Sequence, residues 1–429
     1  GDASATDRLV ISGGRASGDT ALRIANAGGP GAQTVQGIRV VETRNGGSTD
    51  ANAFRLDSRV TAGAYEYQLT RVGQDWYLRS FAPPPEQPGD PGQPSGPMIP
   101  LYRPEAALYA PISAIGRQMG LATLGTLDAR RGEEEAISAT DALGKEGEAA
   151  RFAGWARAIG ERSRNRWDGT VDARATGDLV GLQAGFDILR TRPYADGHRD
   201  HAGVYVAYTG YNAPSVSGFA LGIQNLRVGR LSLEGPTAGG YWTHFGPSGW
   251  YVDAVFQVNW FDAKARSDYG TSLGTSGTGH TASLDAGYPI RLAPRWRIEP
   301  QAQVIWQSVS VDRSRDAFSP VDWDAGDAVT GRLGARLQYT VRTPEAVWQP
   351  YAKVDLWHAF SGNDRVGFGG APPAIASRFG QTALAAGAGI TARVNANTSF
   401  YAHADYRWSV AGDSRQTAVQ GAAGLRVSW

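Results

Sequence analysis

Three short stretches carry residue types that could do chemistry. Gly270-Thr271-Ser272-Leu273-Gly274 fits the G-x-S-x-G pattern, in which a serine nucleophile sits on a sharp turn from a strand into a helix. The surrounding SDYGTSLGTSGTGH offers neither that transition nor an apolar helix, so the stretch reads as a Gly/Ser loop. His198 and His201 in GHRDH could share a metal at i, i+3 only on a helix, and no HExxH or further ligand cluster joins them. Glu133–Glu135 reads as a solvated helix end. No residue is assigned a catalytic, cofactor-binding or metal-ligating role, and the chain is not expected to be an enzyme.

Composition limits the classes further. The 429 residues contain 56 Gly, 13 Trp, 17 Tyr and 13 Phe against 0 Cys, which suits many strands and tight turns. The lack of Cys removes disulfide scaffolds, zinc-finger patterns and thiol catalysis together. It also suits a chain that crosses an oxidising compartment unfolded. A formal net charge of +1, with spread-out Lys and Arg, gives no argument for nucleic acid. No window of 18 apolar residues exists, which excludes a transmembrane helix. A mean hydropathy of -0.33 does not exclude transmembrane strands, which dilute each lipid-facing residue with a lumen-facing one. Because the chain starts at Gly1 rather than Met, a processed chain or a fragment of a longer precursor is expected.

The elements follow in order. Residues 1–81 hold short strand candidates (LVIS, TALRIAN, GIRVVET, AFRLDS, AYEYQLT, DWYLRS) about one per dozen residues, as in an all-β domain or the coils of a β-helix. Residues 82–102 follow, with FAPPPEQPGDPGQPSGPMIP across 81–100 read as a semi-rigid spacer and a domain boundary. Residues 103–150 form a linker that turns helical from Arg103 to Glu135: Ala114, Ile115, Met119, Leu121, Leu124 and Leu127 recur near helical spacing, and Pro104 and Pro111 suit the first turns of one or two helices.

From 151 to 429 the period is two. In WYVDAVFQVNWF, Trp250, Val252, Ala254, Phe256, Val258 and Trp260 oppose Tyr251, Asp253, Val255, Gln257 and Asn259. At about 3.3 Å per residue and about 45° tilt the two Trp stand about 23 Å apart along the normal, close to an apolar band of about 25 Å. The same alternation sets Arg297, Glu299, Arg332 and Arg336 on inner faces, where they are expected to be hydrated or paired with the helical segment. The last strand ends QGAAGLRVSW, with Trp429, Val427, Leu425, Ala423 and Gly421 on one face. About twelve such segments occur: 151–163, 176–190, 201–213, 229–246, 250–264, 277–291, 294–309, 329–342, 347–360, 379–394, 397–408 and 418–429. The connection 291–294 is very short, while 264–277, 309–329 and 360–379 are long. Segment 214–228 reads as either an outward extension of two strands or a loop.

These residues resemble a known family. GAYEYQLTRVGQDWYLRS (63–80) is similar to the C-terminal end of pertactin-like autotransporter passengers, with Tyr65, Tyr67, Leu69, Trp76 and Leu78 at its apolar positions. LVGLQAGFDILR, WYVDAVFQVNWFDA, ASLDAGYPI, RIEPQAQV and GRLGARLQY resemble the barrel motifs of type Va autotransporters. The resemblance implies an all-β membrane protein: a 12-stranded antiparallel transmembrane β-barrel at 151–429, with a linker helix in the pore around 113–131, preceded by an autochaperone-like β-helical passenger end at 1–81. It implies an outer-membrane translocator in type V secretion that carries an adhesin- or virulence-type passenger to the surface of a Gram-negative cell. The implied partners are outer-membrane lipid and lipopolysaccharide, the β-barrel assembly machinery, periplasmic chaperones and the chain's own passenger, with a monomeric barrel and no cofactor. The alternative is a porin-like diffusion channel constricted by a folded-in loop. Gly412-Asp413-Ser414 resembles the motif of lipolytic autotransporters, but there it opens a passenger, and here it joins two barrel strands as a turn. Some autotransporters cut themselves in the pore at an asparagine; Met98 to Ala150 contains no Asn, which departs from that pattern.

Overall fold

The structure is a computed structural model that describes the chain except residues 84–85, 88–89, 95–96, 126–152, 192–196, 361 and 396. Residues 1–81 hold two stacked β-helical coils and a closing hairpin. Leu9–Ser12 lies parallel to Ile38–Arg44, Arg15–Ala16 to Ser48–Thr49, and Thr20–Leu22 to Phe54–Leu56. Three parallel pairs at nearly constant offset mean that each coil stacks on the next, as the strand spacing predicts. The antiparallel hairpin Tyr65–Val72 with Asp75–Arg79 then closes the stack against Ile38–Arg44. Of the five apolar positions in that hairpin, Tyr65, Tyr67, Trp76 and Leu78 are buried, while Leu69 is half-buried.

The barrel strands, numbered β1–β12 here, are Ala153–Trp167, Arg174–Arg190, Arg199–Ala220, Ile223–Phe245, Tyr251–Ser267, Ser272–Gly287, Trp296–Val311, Ala328–Tyr339, Val347–Ala359, Gln381–Arg393, Thr398–Gly412 and Ser414–Ser428. Each pairs antiparallel with its sequence neighbours, and β1 pairs with β12 from Ala153↔Ser428 to Trp167↔Ser414, which closes the sheet without an edge. Every one of the twelve expected segments becomes a strand.

Alternation along these strands separates two environments. Val180, Leu182, Val206, Phe256, Leu284, Val304, Leu333, Val354 and Val419 are exposed on the outer face, a continuous apolar surface that only lipid can cover. Trp242, Trp260, Trp296, Trp306, Trp348 and Trp429 stand outward near the ends of these rows, as interfacial girdles do. No helix among the described residues is long and apolar enough to cross a membrane.

The strands run further than the alternation indicates at one rim, called the upper rim because the N-terminal body docks there. Segment 214–228 extends β3 and β4 outward as a bulged hairpin, turning at Leu221 and Gly222, both at positive φ. Bulges between Ala213 and Val216 break the period-two signal, which is why the sequence left this segment open. The expected long connection 264–277 is in fact four residues, 268–271, because β5 and β6 reach Ser267 and Ser272. The two other long connections fold. Ser314–Arg315, Pro320–Ala325, Asn363–Phe368 and Ala371–Arg378 form a separate four-stranded sheet over the upper rim.

The Pro-rich stretch departs from a spacer between two bodies. Phe81 pairs with Pro100 and Ala82 with Ile99, so its ends meet. The chain resumes at Leu101, whose carbonyl accepts from the Glu66 amide while its own amide donates to the Ser80 carbonyl. The Arg103 amide donates to the Ala64 carbonyl. Proline density predicts extended backbone here, but not which residues the two ends pair with.

Candidate functional site: the plugged lumen

Two helices fill the route from the N-terminal body into the barrel. α1 spans Pro104–Tyr109 and α2 spans Ile112–Leu124. Arg103, in extended conformation, precedes Pro104 at the first helical position, where the missing N–H costs nothing. Pro111 is instead the N-cap of α2, in helical conformation, and its carbonyl accepts from the Ile115 amide. The apolar positions expected at helical spacing are placed as read: Ile115, Met119 and Leu124 are buried and Ala114 and Leu121 half-buried. The part of the expected 113–131 helix beyond Gly125, including Leu127, lies outside the described residues, as does Glu133–Glu135.

At the upper rim the chain is held by charged side chains without water around them. The Arg103 and Asp316 side chains are both 0% exposed and form an ion pair of 2.9 Å. The Arg103 guanidinium lies 4.5 Å from the Phe368 ring centre and also donates to Ser319 Oγ. The Tyr109 hydroxyl donates to Asp316 at 3.1 Å, and Trp323 Nε1 donates to the Tyr109 carbonyl. Val321, Val366, Phe368 and Ile375 of the four-stranded sheet are buried in one core with α1.

A second junction ties the N-terminal body to the same place. Arg59 pairs with Glu66 at 2.7 Å and with Glu105 of α1 at 3.1 Å, and donates to the Tyr269 carbonyl of the barrel rim at 2.8 Å. Burial alone would depress the Arg59 guanidinium. Hydrogen bonds and attraction from Glu105 and Glu66 outweigh this and hold it above its ordinary value. Ser267 Oγ donates to Glu105 Oε1 at 2.8 Å, so one buried carboxylate is shared by body, plug and barrel.

Below the rim α2 packs against β2–β7. Gly116 and Gly120 face the wall so closely that an added Cβ would stand 2.9 Å from the Phe261 ring and 3.1 Å from Gln307 and Thr281. Wall side chains then hydrogen-bond to helix carbonyls: Gln307 to Arg117, Gln257 to Gly120, and Gln183 and Arg157 to Thr123. On the other face Arg117 pairs with Asp364, and Gln118 meets Glu161, Ser163 and Asn165.

The inward charges read from the sequence are placed inward, with partners in the wall. Arg332 is held by Asp285 at 3.0 Å and Asp355 at 2.8 Å. Arg297 donates to Gln338, Glu299 accepts from Gln301, and Arg336 lies over the Tyr351 ring. The side chains that grip the plug (Arg157, Gln183, Gln257, Gln307, Asp316 and Asp364) were not singled out for it. Their inward parity was readable for the barrel members, but which inward residue meets the helix depends on strand stagger.

The chemical candidates are dispersed. His198 Nδ1 lies 3.0 Å from His244 Nε2, whereas His201 faces the lumen against the Phe245 ring. Neither histidine is on a helix, and no group of three His, Cys, Asp or Glu among the described residues could hold a metal. Gly270 ends a turn at positive φ and Ser272 opens β6, exposed and paired with Arg266. Gly412-Asp413-Ser414 is the β11–β12 turn, with Ser414 Oγ donating to the Phe379 carbonyl.

Comparison with known proteins agrees with this arrangement. Residues 154–405 match the family described as Autotransporter beta-domain, and residues 1–69 match Autochaperone Domain Type 1. Over its whole length the chain is 31% identical to the adhesin BmaC autotransporter of Brucella suis biovar 1 (strain 1330), of which it spans 13%. It is 30% identical over its whole length to the uncharacterized protein YdeU of Escherichia coli (strain K12), of which it covers 93%. Among solved structures, the transport unit of the autotransporter AIDA-I from Escherichia coli aligns with a TM-score of 0.59 at 20% identity, over 76% of this chain and 100% of that one. The β domain of the Bordetella autotransporter BrkA aligns at 0.51 and 24%, over 65% of this chain and 100% of that one. A closed twelve-stranded barrel with an apolar outer face, a plugged lumen and a β-helical end docked on one rim places this chain in the autotransporter family, as an outer-membrane translocator whose passenger is exposed at the cell surface.

Proposed function

We propose that this chain carries an adhesin-type passenger and represents the carrier after transport. The observation that carries this reading is the shared carboxylate Glu105, which joins the β-helical end, the plug and the barrel rim. Two relatives, BmaC and AIDA-I, are described as adhesins, and the passenger reading rests on that likeness. The barrel inserts with the help of the β-barrel assembly machinery and periplasmic chaperones, for which QGAAGLRVSW is the recognition strand. The passenger then moves outward as an unfolded chain. Folding of residues 1–81 outside biases transit, since burying an apolar core on one side of the membrane supplies free energy where no ATP is present. The barrel acts as a monomer, and the chain performs no catalysis of its own.

The test is protease treatment of intact cells that express a tagged, full-length precursor. Removal of residues 1–81 with retention of a heat-modifiable barrel of residues 151–429 supports surface display. A protected N-terminal part with cleaved upper-rim loops contradicts it.

A further inference from the structure

We propose that Arg157 and Gln183 form a socket in the barrel wall for the C-terminal end of a polypeptide helix, and that this socket sets the depth at which the transported chain stops. The inference builds on the translocator reading and adds a binding site to it. A helix end leaves up to four carbonyls without intrahelical partners and carries a partial negative charge. Helices commonly meet this with their own basic residue, yet the last turn of α2 has none. The wall supplies the charge instead. Arg157 Nη2 donates to the Thr123 carbonyl at 2.9 Å and lies 3.5 Å from the Ala122 carbonyl. Gln183 Nε2 donates to the Thr123 carbonyl at 3.0 Å. Arg157 Nε donates to Gln183 Oε1 at 2.6 Å, which fixes the two donors relative to each other. Both side chains are buried, Arg157 4% and Gln183 2% exposed.

Two further observations give the socket its shape. One turn earlier, Gln257 Nε2 donates to the Gly120 carbonyl at 2.8 Å and makes a third fixed contact with main chain. Gly125 ends α2 at φ +61°, and a Cβ there would stand 2.9 Å from the Arg157 guanidinium. Glycine is thus demanded both by the left-handed turn and by the approach of the cation. Arg157 and Gln183 reach the helix through its main-chain carbonyls, while Gln257 also hydrogen-bonds the Thr123 hydroxyl. The ligand is therefore the carbonyl end of a short helix followed by glycine, with a hydroxyl residue at Thr123 and an apolar residue at Leu124 in its last turn.

The experiment is amide hydrogen exchange on the folded full chain, read separately for residues 112–116 and 121–125, with heat-modifiability confirming an intact barrel. It reads the socket whether or not the chain exports a passenger, so its failure is distinct from failure of surface display. Loss of the cap in Arg157→Met is expected to speed exchange in 121–125 by about tenfold while 112–116 is unchanged, with Gln183→Leu giving a smaller rise and Arg157→Lys recovering part of the protection. A second variant leaves the wall intact: Leu121→Gln with Ala122→Ser is expected to keep the protection of 121–125. Unchanged exchange in Arg157→Met and Gln183→Leu, or lost protection in the Leu121/Ala122 variant, would overturn the proposal.

Discussion

The upper rim and the middle of the lumen hold the same polypeptide by different means. At the rim Arg103, Glu105, Asp316 and Arg59 recognise particular charged partners, sealed under Phe318, Phe368 and Tyr269. In the lumen Gln257, Gln307, Gln183 and Arg157 hold carbonyls, and two glycines let the helix approach the wall. The rim reads residue identity, and the β2–β7 side of the lumen reads mainly shape, while the opposite face of α2 is held through the Arg117 and Gln118 side chains. That division fits a pore through which many different residues pass before one segment stays.

The comparison can be broken first at the rim. Asp316→Ala strands a fully buried guanidinium, with an expected cost of about 3–5 kcal/mol. Arg103→Met combined with Asp316→Leu should cost much less than the sum of the single changes, and a double-mutant cycle on urea midpoints measures the difference. Next come the glycines. Gly116→Leu or Gly120→Leu overpacks the wall by about 1–3 kcal/mol, whereas Ala114→Leu, which faces a cavity on the other side of α2, should be tolerated. Open-state frequency in bilayer recordings distinguishes them. Smaller still for each bond lost, Gln307→Leu removes a hydrogen bond to the Arg117 carbonyl, which also accepts within the helix, and Gln257→Leu removes the bond to the Gly120 carbonyl together with those to Thr123 and Tyr205. The expected cost is about 1 kcal/mol per bond, seen as a modest rise in open events.

The smallest effect concerns pH and the N-terminal body alone. Burial would raise the Asp75 carboxyl, but donors from Thr43 and Arg39 outweigh it and lower it below 3.8. A depressed folded value stabilises the body above the unfolded value, and this stabilisation is lost as pH falls through the folded one. Acid titration followed by Trp76 fluorescence should therefore show a loss beginning below about pH 4, flattened in Asp75→Asn. A steeper loss in Asp75→Asn would contradict this assignment.

Much of the barrel was legible because lipid imposes a rule on every strand independently. Val252, Phe256 and Trp260 must be apolar whatever their neighbours are, so period two appears in isolation. The β-helical coils were legible for a similar reason, since each repeats the pattern of the one before. What could not be read depends on non-local pairing. The sheet containing Val321, Val366 and Ile375 exists because two loops far apart in sequence meet over α1. Likewise Gln183 and Gln257 look like ordinary lumen residues until strand stagger sets them at the level of the helix end. The meeting of Phe81 with Pro100 was hidden because proline composition reports backbone stiffness and is silent on pairing.

The central claim is that the segment between the docked body and the barrel closes the pore. Deleting residues 98–135 and recording single-channel conductance in a planar bilayer tests it most directly. The account predicts a nearly silent parent chain and a strongly conducting deletion variant. Equal conductance in the two, with the barrel intact, would contradict it and favour an open diffusion channel.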